Sequence, residues 1–299
     1  MFTGNYGFFD YKYNISGYSG QDYGGLAQYV YLAISVVVLA GLLIALRKTP
    51  RERVRKVIGC LGIFLTLFYL GKTAWETYYD VRLTGAFNKY LLPLDTCSFI
   101  MPAGILAGFG KGKLQRMAEC WIATGAIVGG LATMLFLNAF KFYPFFSFGA
   151  LYSMLWHFLM VFMGLLLLVT ERPPVRFSLV TNGFLLHLLV SVIVIPVDFL
   201  FGFDFMLYRE LGGVPFFEGV ASDLTARGLS FLNPIIMLAL YFFAFTVIWL
   251  IAALIKNRKR APVAVPTVSL NSTPMLSIHS TLSMAWLHMY VIRSISPVS

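Results

Sequence analysis

"LLPLDTCSFIMPAGIL", residues 91–106, decides how this chain is threaded through a membrane. Its leucines and isoleucines read as part of a spanning segment. Yet it also carries an acid, Asp95, a thiol, Cys97, and two prolines, Pro93 and Pro102. In a helix counted over 90–110, Pro93 falls one turn in, where a missing N–H is tolerated; Pro102 is expected to free a carbonyl and kink the middle. Irregular backbone persists at membrane depth only where protein packs around it or a wet cavity runs beside it. On an ideal helix Asp95, Ser98 and Pro102 share one face, and Cys97 stands ~200° away from Asp95. A kink or a broken turn near Pro93 changes that geometry. The stretch therefore predicts a wet pocket inside a membrane domain.

The rest of the sequence supports that setting. Of 299 residues, 59% are hydrophobic and 12% charged, and the mean hydropathy is +0.77. A soluble domain of this size needs more charge to cover its surface, so the composition is that of an integral membrane protein. The net charge of +10 does not point to nucleic acid, because the bases lie in short links between apolar runs. Cys60, Cys97 and Cys120 all fall in or beside those runs, and no disulfide framework is implied. The first 25 residues have Lys12 as their only base and no short apolar core, unlike a cleaved signal peptide.

A helix needs about 20 apolar residues to span a ~30 Å hydrocarbon core. Seven runs qualify, roughly 26–46, 57–79, 90–110, 117–139, 147–170, 177–201 and 233–255. The expected fold is thus all-α, a bundle of seven transmembrane helices joined by links such as KGKLQR (111–116) and ERPPVR (171–176). Fifteen bases collect on one side, at 47–56, 111–116, 172–176 and 256–260, against six on the other, Lys12, Arg82, Lys89, Lys141, Arg209 and Arg227. The positive-inside rule puts the fifteen in the cytoplasm, the N-terminus outside and the C-terminus inside. The location expected is the cell membrane, crossed several times.

Three parts follow. Residues 1–25 form an extracytoplasmic segment whose Tyr, Phe and Gly suit the membrane interface. Residues 26–255 form the transmembrane domain, with an outer loop at 202–232 able to fold as a lid. Residues 256–299 form a basic tail, rich in Pro, Ser and Thr at first and predicted to be disordered; its "MAWLHMYVIRS" is too short to span. There is no internal repeat and no nucleotide-binding glycine loop.

An ionisable side chain in hydrocarbon costs several kcal/mol unless it pairs, faces the bundle interior or loses its charge. The inventory is short: Lys72, Glu76, Asp95, His157, His187 and Asp198, with Cys97 as the reactive neutral group. At ~1.5 Å per residue, Asp95 and Cys97 lie ~8–10 Å below the outer end of their helix and His157 ~15 Å below its own. Asp198 and Asn138 sit near the outer boundary, and His187 near the midplane. Lys72 and Glu76, four residues apart, either pair along their own helix or belong to a site. Asp198 either caps the loop after it or faces a cavity. His187 is either a packed histidine or part of a proton path. Cys60 and Cys120 read as small packing residues. Two histidines without a carboxylate or thiol at ligand spacing do not make a metal motif, and no metal or other cofactor is implied.

The motifs "LLPLDTCSF", "YSMLWHFLMVFMGLLLL" (152–168) and "IPVDFLFGFDFMLY" (195–208) carry a resemblance. Across roughly 26–255 the chain resembles the YwaF-like bacterial integral membrane family, related to the animal transmembrane protein 164 acyltransferase family. Bacterial members usually read L-P-L-H-L-C at the first motif; Asp95 stands in place of that histidine and Cys97 keeps the thiol. His157 matches the histidine of the fifth helix. Asp198 and Asp204 replace the asparagines of an N-Y-L-L-G-x-N-Y pattern. In the animal acyltransferases the cysteine directly follows the proline, a position held here by Leu94. The resemblance implies acyl chemistry on phospholipids.

The expectation is therefore a polar cavity in the outer leaflet with membrane lipids as partners and acyl transfer or hydrolysis as the reaction. Cys97 would be the nucleophile and His157 its general base. Asp95 would orient the histidine or handle the leaving group. Lys72, Glu76, His187 and Asp198 would contact substrate, Lys72 as the cation for a phosphate or oxyanion. The competing expectation is a carrier for protons or a small solute, whose path uses Asp95, His157 and His187 and hardly needs Cys97. A third, non-catalytic scaffold or sensor makes no demand on any of them.

Overall fold

A computed structural model describes residues 6–12, 25–85, 91–136, 139–211 and 218–258. The described residues are all-helical, without strands. The main helices are α1 (Leu26–Leu46), α2 (Arg51–Thr84), α3 (Ile100–Phe109), α4 (Gly112–Leu135), α5 (Phe148–Val169), α6 (Ser178–Phe201), α7 (Glu218–Ala226) and α8 (Asn233–Arg258). Single turns lie at Ala139–Phe142, Phe205–Leu207 and Ser230–Leu232. The tail 261–299, Asn138, Lys89 and the 212–217 part of the expected lid lie outside the described residues. Residues 251–258 belong to a separate compact unit and continue α8 as helix.

Six described helices, α1, α2, α4, α5, α6 and the one containing α8, are long and apolar enough to cross a membrane. Their large apolar side chains point outward as often as inward. Val36, Val37 and Ile44 on α1 and Val192, Ile193 and Leu200 on α6 are all exposed. That pattern suits lipid and not water. The chain is a membrane protein.

The seventh run behaves differently from the expectation. Residues 91–99 are a succession of turns, and helix begins only at Ile100. α3 has ten residues, ~15 Å at ~1.5 Å each, half of a hydrocarbon core. Pro102 is the third residue of that helix. It therefore starts the helix instead of kinking its middle, since the first-turn N–H groups have no intrahelical partner to lose. The boundaries elsewhere also shift. α2 takes in the charged 51–56, and α4 takes in most of KGKLQR, because Lys and Arg are good helix formers that end their stems in water.

What fixes α3 is its contact with α2. A methyl added at Gly108 would stand 2.2 Å from the Gly59 Cα, and one at Gly104 2.9 Å from the Gly62 Cα. The G-x-x-x-G spacing of 104 and 108 lets two backbones touch. Between apolar helices in lipid, such close packing replaces the hydrophobic drive that water supplies elsewhere.

α4 contains a π-turn at Ile122–Ala126. One extra residue there re-phases the helix, so Trp121 and Thr133 face different neighbours than a regular helix would give them. In the described part of the aromatic N-terminal segment Phe8 and Phe9 are exposed, and Tyr11 is turned inward. Tyr11 is fully buried among Trp75, Tyr79 and Tyr143, and its hydroxyl donates to Asp80 Oδ1 at 2.9 Å. A phenol whose polar tip is satisfied packs as well inside as at an interface.

Candidate functional site

The irregular segment 91–99 is pinned by three aromatic side chains from three helices. Tyr69 of α2 donates its hydroxyl to the Leu91 carbonyl at 2.6 Å. Trp156 of α5 donates its indole N–H to the Cys97 carbonyl at 3.2 Å. Tyr241 of α8 shares a hydrogen bond with Thr96 Oγ1 at 2.7 Å. The backbone can leave the helix at depth because neighbouring helices supply partners for its polar groups.

Cys97, half-buried, lies with its Sγ 3.9 Å from Thr133 Oγ1 on α4. The Thr133 hydroxyl donates to the Gly129 carbonyl at 3.0 Å. Its oxygen is thus left to accept, and the thiol is the donor. Asp95 is exposed, faces the backbone N–H of Met206, and lies in the field of Lys72. Lys72 and Glu76 form a close ion pair along α2, and the ammonium also sits 5.5 Å from the centre of the Tyr152 ring. Asp95, Cys97, Lys72 and Glu76 are therefore brought to one end of the bundle, the base-poor end, around the 91–99 turns.

His157 is placed beside this cluster and not in it. Its Nδ1 meets the Ser153 carbonyl at 2.7 Å, which fixes Nδ1 as the protonated nitrogen and leaves Nε2 with the lone pair. Along α5 it shares a face with Ala150, Met154 and Val161, which belong to the core cluster that packs α1. Trp156, Leu159, Met160 and Met163 belong to the other cluster, against which Cys97 packs. Among the described residues no hydrogen bond joins the thiol to the imidazole.

His187 has a complete set of partners. Nδ1 accepts from the Trp121 indole at 3.4 Å, and Nε2 meets the Tyr208 hydroxyl at 3.1 Å. Tyr208 bonds Ser191, whose hydroxyl donates to the His187 carbonyl at 2.8 Å. The Tyr241 ring lies 4.1 Å from the imidazole, centre to centre. An imidazole that accepts at Nδ1 and donates at Nε2 is neutral, and this one is fully buried. Burial pushes the Tyr208 hydroxyl, which lies in the loop after α6, up to about 12. Asp198, also fully buried, accepts from the Phe205 N–H at 2.9 Å through Oδ1 and caps the turn at the end of α6. Asp204 does the same for Arg209 and Glu210, at 2.8 and 3.0 Å. No group of three or more His, Cys, Asp or Glu suited to a metal occurs among the described residues.

Sequence reasoning missed Tyr69, Thr133, Trp156 and Tyr241, because aromatic and hydroxyl residues are common in membrane helices and carry no charge to mark them. It also missed Glu119 and Arg172, which pair at 3.6 Å with both side chains nearly enclosed. The signal was available: Glu119 is an acid one residue before Cys120 in an apolar run, and Arg172 precedes two prolines.

No curated protein and no solved structure gives a match to the chain. The sequence model of the TMEM164 family matches residues 23–256, which includes the 91–99 turns, His157 and the Asp198 corner. The match spans most of the chain, and the chain therefore belongs to the TMEM164 family.

Proposed function

We propose that this protein performs acyl chemistry on membrane lipids, transfer or hydrolysis, with Cys97 as nucleophile. The observation that carries this reading is a half-buried thiol on non-helical backbone, beside an exposed carboxylate and a paired lysine. A purely structural cysteine has no need of that setting. Family membership is consistent with the reading.

The thiol of Cys97 gives its proton to a base and attacks the acyl carbonyl of a phospholipid. The ester C–O bond breaks, a thioester forms, and the departing oxygen takes up the proton as the lysolipid hydroxyl. A lipid hydroxyl or water then attacks the thioester, gives its proton to the same base, and Cys97 recovers it. Asp95, two residues from the thiol, is the base in this scheme. That is the part which sequence alone gave to His157. Lys72, steadied by Glu76, faces the phosphate or the oxyanion. His187 and Asp198 hold the surrounding turns in place.

In this proposal α3 and the 91–99 turns together make a seventh crossing of the cell membrane. The fifteen bases are cytoplasmic, the N-terminus is outside, and the site opens to the outer leaflet. A cysteine introduced into the link at 47–50 should resist an impermeant thiol reagent in intact cells, and one introduced in α7 should react. The reverse pattern overturns the orientation. For the chemistry, purified protein is reconstituted with a phospholipid bearing a labelled acyl chain. Release or transfer of the label should vanish in Cys97→Ala and fall further in Asp95→Asn than in His157→Ala. Full turnover in Cys97→Ala removes Cys97 as the nucleophile, and no turnover in the parent protein sinks the enzyme and favours the carrier.

A further inference from the structure

The base-rich end of the bundle holds a second polar cleft that acyl chemistry at Cys97 does not use. Its volume is about 360 Å³, and its walls include Arg51, Arg55, Gln115, Arg116, Glu119 and Arg172. Along α2, Arg51 and Lys72 are ~30 Å apart at ~1.5 Å per residue, so the two polar regions are distinct. Four arginines and two carboxylates, Glu119 and Glu52, line the cleft, a formal balance of four minus two, or +2.

The cleft is built around a buried guanidinium. Arg172 is 5% exposed. Its Nη1 donates to the Arg51 carbonyl at 2.7 Å, and its Nη2 lies 3.6 Å from Glu119 Oε1. Arg55 Nη2 donates to the Gly110 carbonyl at 3.1 Å, and Gln115 steadies Glu119 at 3.1 Å. After these contacts the Nε–H groups of Arg55 and Arg172 have no hydrogen-bond partner among the described residues. Arg51 and Arg116 stand exposed at the mouth.

Two helix starts open on the same space. α2 begins at Arg51 and α4 at Gly112, both on the wall, and neither has a side-chain cap. Free N–H groups and the positive ends of two helix dipoles add to the arginine field. Burial holds the Arg172 guanidinium below its ordinary range, and Arg51 and Arg55 crowd it further in spite of Glu119. An anion seated between these groups relieves the crowding.

We infer that this cleft binds a phosphate dianion, carried either by the phosphomonoester headgroup of a membrane lipid or by a small soluble phosphate. A phosphomonoester carries about −1.5 to −2 near neutral pH, which matches the balance of the wall. Guanidinium forks meet phosphate oxygens in pairs, a fit that a lone ammonium cannot reproduce. The volume holds a headgroup and leaves acyl chains outside.

The test uses the full chain in nanodiscs of neutral phosphatidylcholine, with thermal unfolding as the readout. One arm titrates inorganic phosphate at mildly alkaline pH; the other replaces part of the lipid with phosphatidate in steps. A saturable rise in the unfolding midpoint is expected in at least one arm. A rise with inorganic phosphate assigns a soluble ligand, and a rise with phosphatidate alone assigns a lipid. The double variant Arg51→Gln/Arg116→Gln changes only exposed side chains and leaves the Arg172–Glu119 pair in place. It should weaken the response about tenfold or more, as expected for lost charge-assisted hydrogen bonds. An equal rise with chloride at matched ionic strength, saturation in neither arm, or an unchanged response in the double variant overturns the inference.

Discussion

The turns around Cys97 and the network around His187 are both polar, and both lie within the apolar domain, yet they are built on opposite terms. His187 has a partner on each ring nitrogen, drawn from α4 and from the loop after α6, and is fully enclosed. The 91–99 turns have their carbonyls secured by Tyr69 and Trp156, while Asp95 stays exposed and the thiol has only the Thr133 oxygen, at 3.9 Å. A buried polar group with complete partners stabilises and specifies the fold. One held in place by its backbone, with its side chain left weakly paired, is free to meet a ligand. Polarity at depth therefore does not by itself mark a site.

The heaviest test of the contrast falls on the α2–α3 contact, which holds the turns in place. Gly108→Ala puts a methyl 2.2 Å from the Gly59 Cα, 2.6 Å from the Gly59 N and 3.0 Å from the Arg55 carbonyl oxygen, all of them backbone. A loss of about 3 kcal/mol or more in unfolding free energy is expected, at the upper end for overpacking. Cys97 labelling should change with it, because α3 must move. A variant as stable as the parent would show that the contact does not position the site.

Next comes His187→Phe. It strands the Trp121 N–H and removes the Nε2–H that the Tyr208 oxygen accepts, and should cost about 1–3 kcal/mol for each buried group left unpaired. The alkylation rate of Cys97 should stay within twofold of the parent. A large change in that rate, with the fold intact, would join the two regions into one site.

Lys72 and Glu76 should show a smaller effect. Either Lys72→Gln or Glu76→Leu alone leaves one charge behind and should cost about 1–2 kcal/mol, since the pair keeps partial exposure. The double variant should recover stability. If activity returns with it, the pair is local and does not touch substrate; activity lost in a stable double variant keeps Lys72 at the site.

The last effect is confined to strong alkali, where it is a pH slope. Tyr208 ionises near 12 in the fold and near 10 when unfolded. Its contribution is complete below the unfolded value and is lost as pH rises through the folded one. Stability should therefore decline between those limits, and Tyr208→Phe should flatten that decline slightly. A slope unchanged by the variant would mean that the His187 network does not depend on the neutral phenol.

Much of the fold was legible because spanning runs announce themselves by length and apolarity. α1, α5, α6 and α8 begin and end within a few residues of the expected bounds. The third run misled because composition does not reveal where a helix starts; Pro102 looked like a mid-helix kink and is a first-turn residue. Tyr11 looked interfacial because its partner Asp80 is 69 residues away. At the site, Asp95, Cys97, Lys72 and Glu76 stood out as rare polar residues. Trp156 and Tyr241, which hold the turns, did not, since only the packing of distant helices brings them together. His157 stood out equally, yet the helical phase of α5 sends it to the other cluster.

If the secured turns present Cys97 for acyl chemistry, the acyl chain passes through that sulfur during turnover. The protein, reconstituted with phospholipid of a single known acyl chain, is quenched in acid during turnover and analysed by intact and peptide mass spectrometry. The predicted result is one acyl mass on the peptide carrying Cys97, removed by neutral hydroxylamine and absent from Cys97→Ser and from the peptides of Cys60 and Cys120. Lipid turnover with Cys97 unmodified at every time point, or the adduct on another residue, would contradict the account.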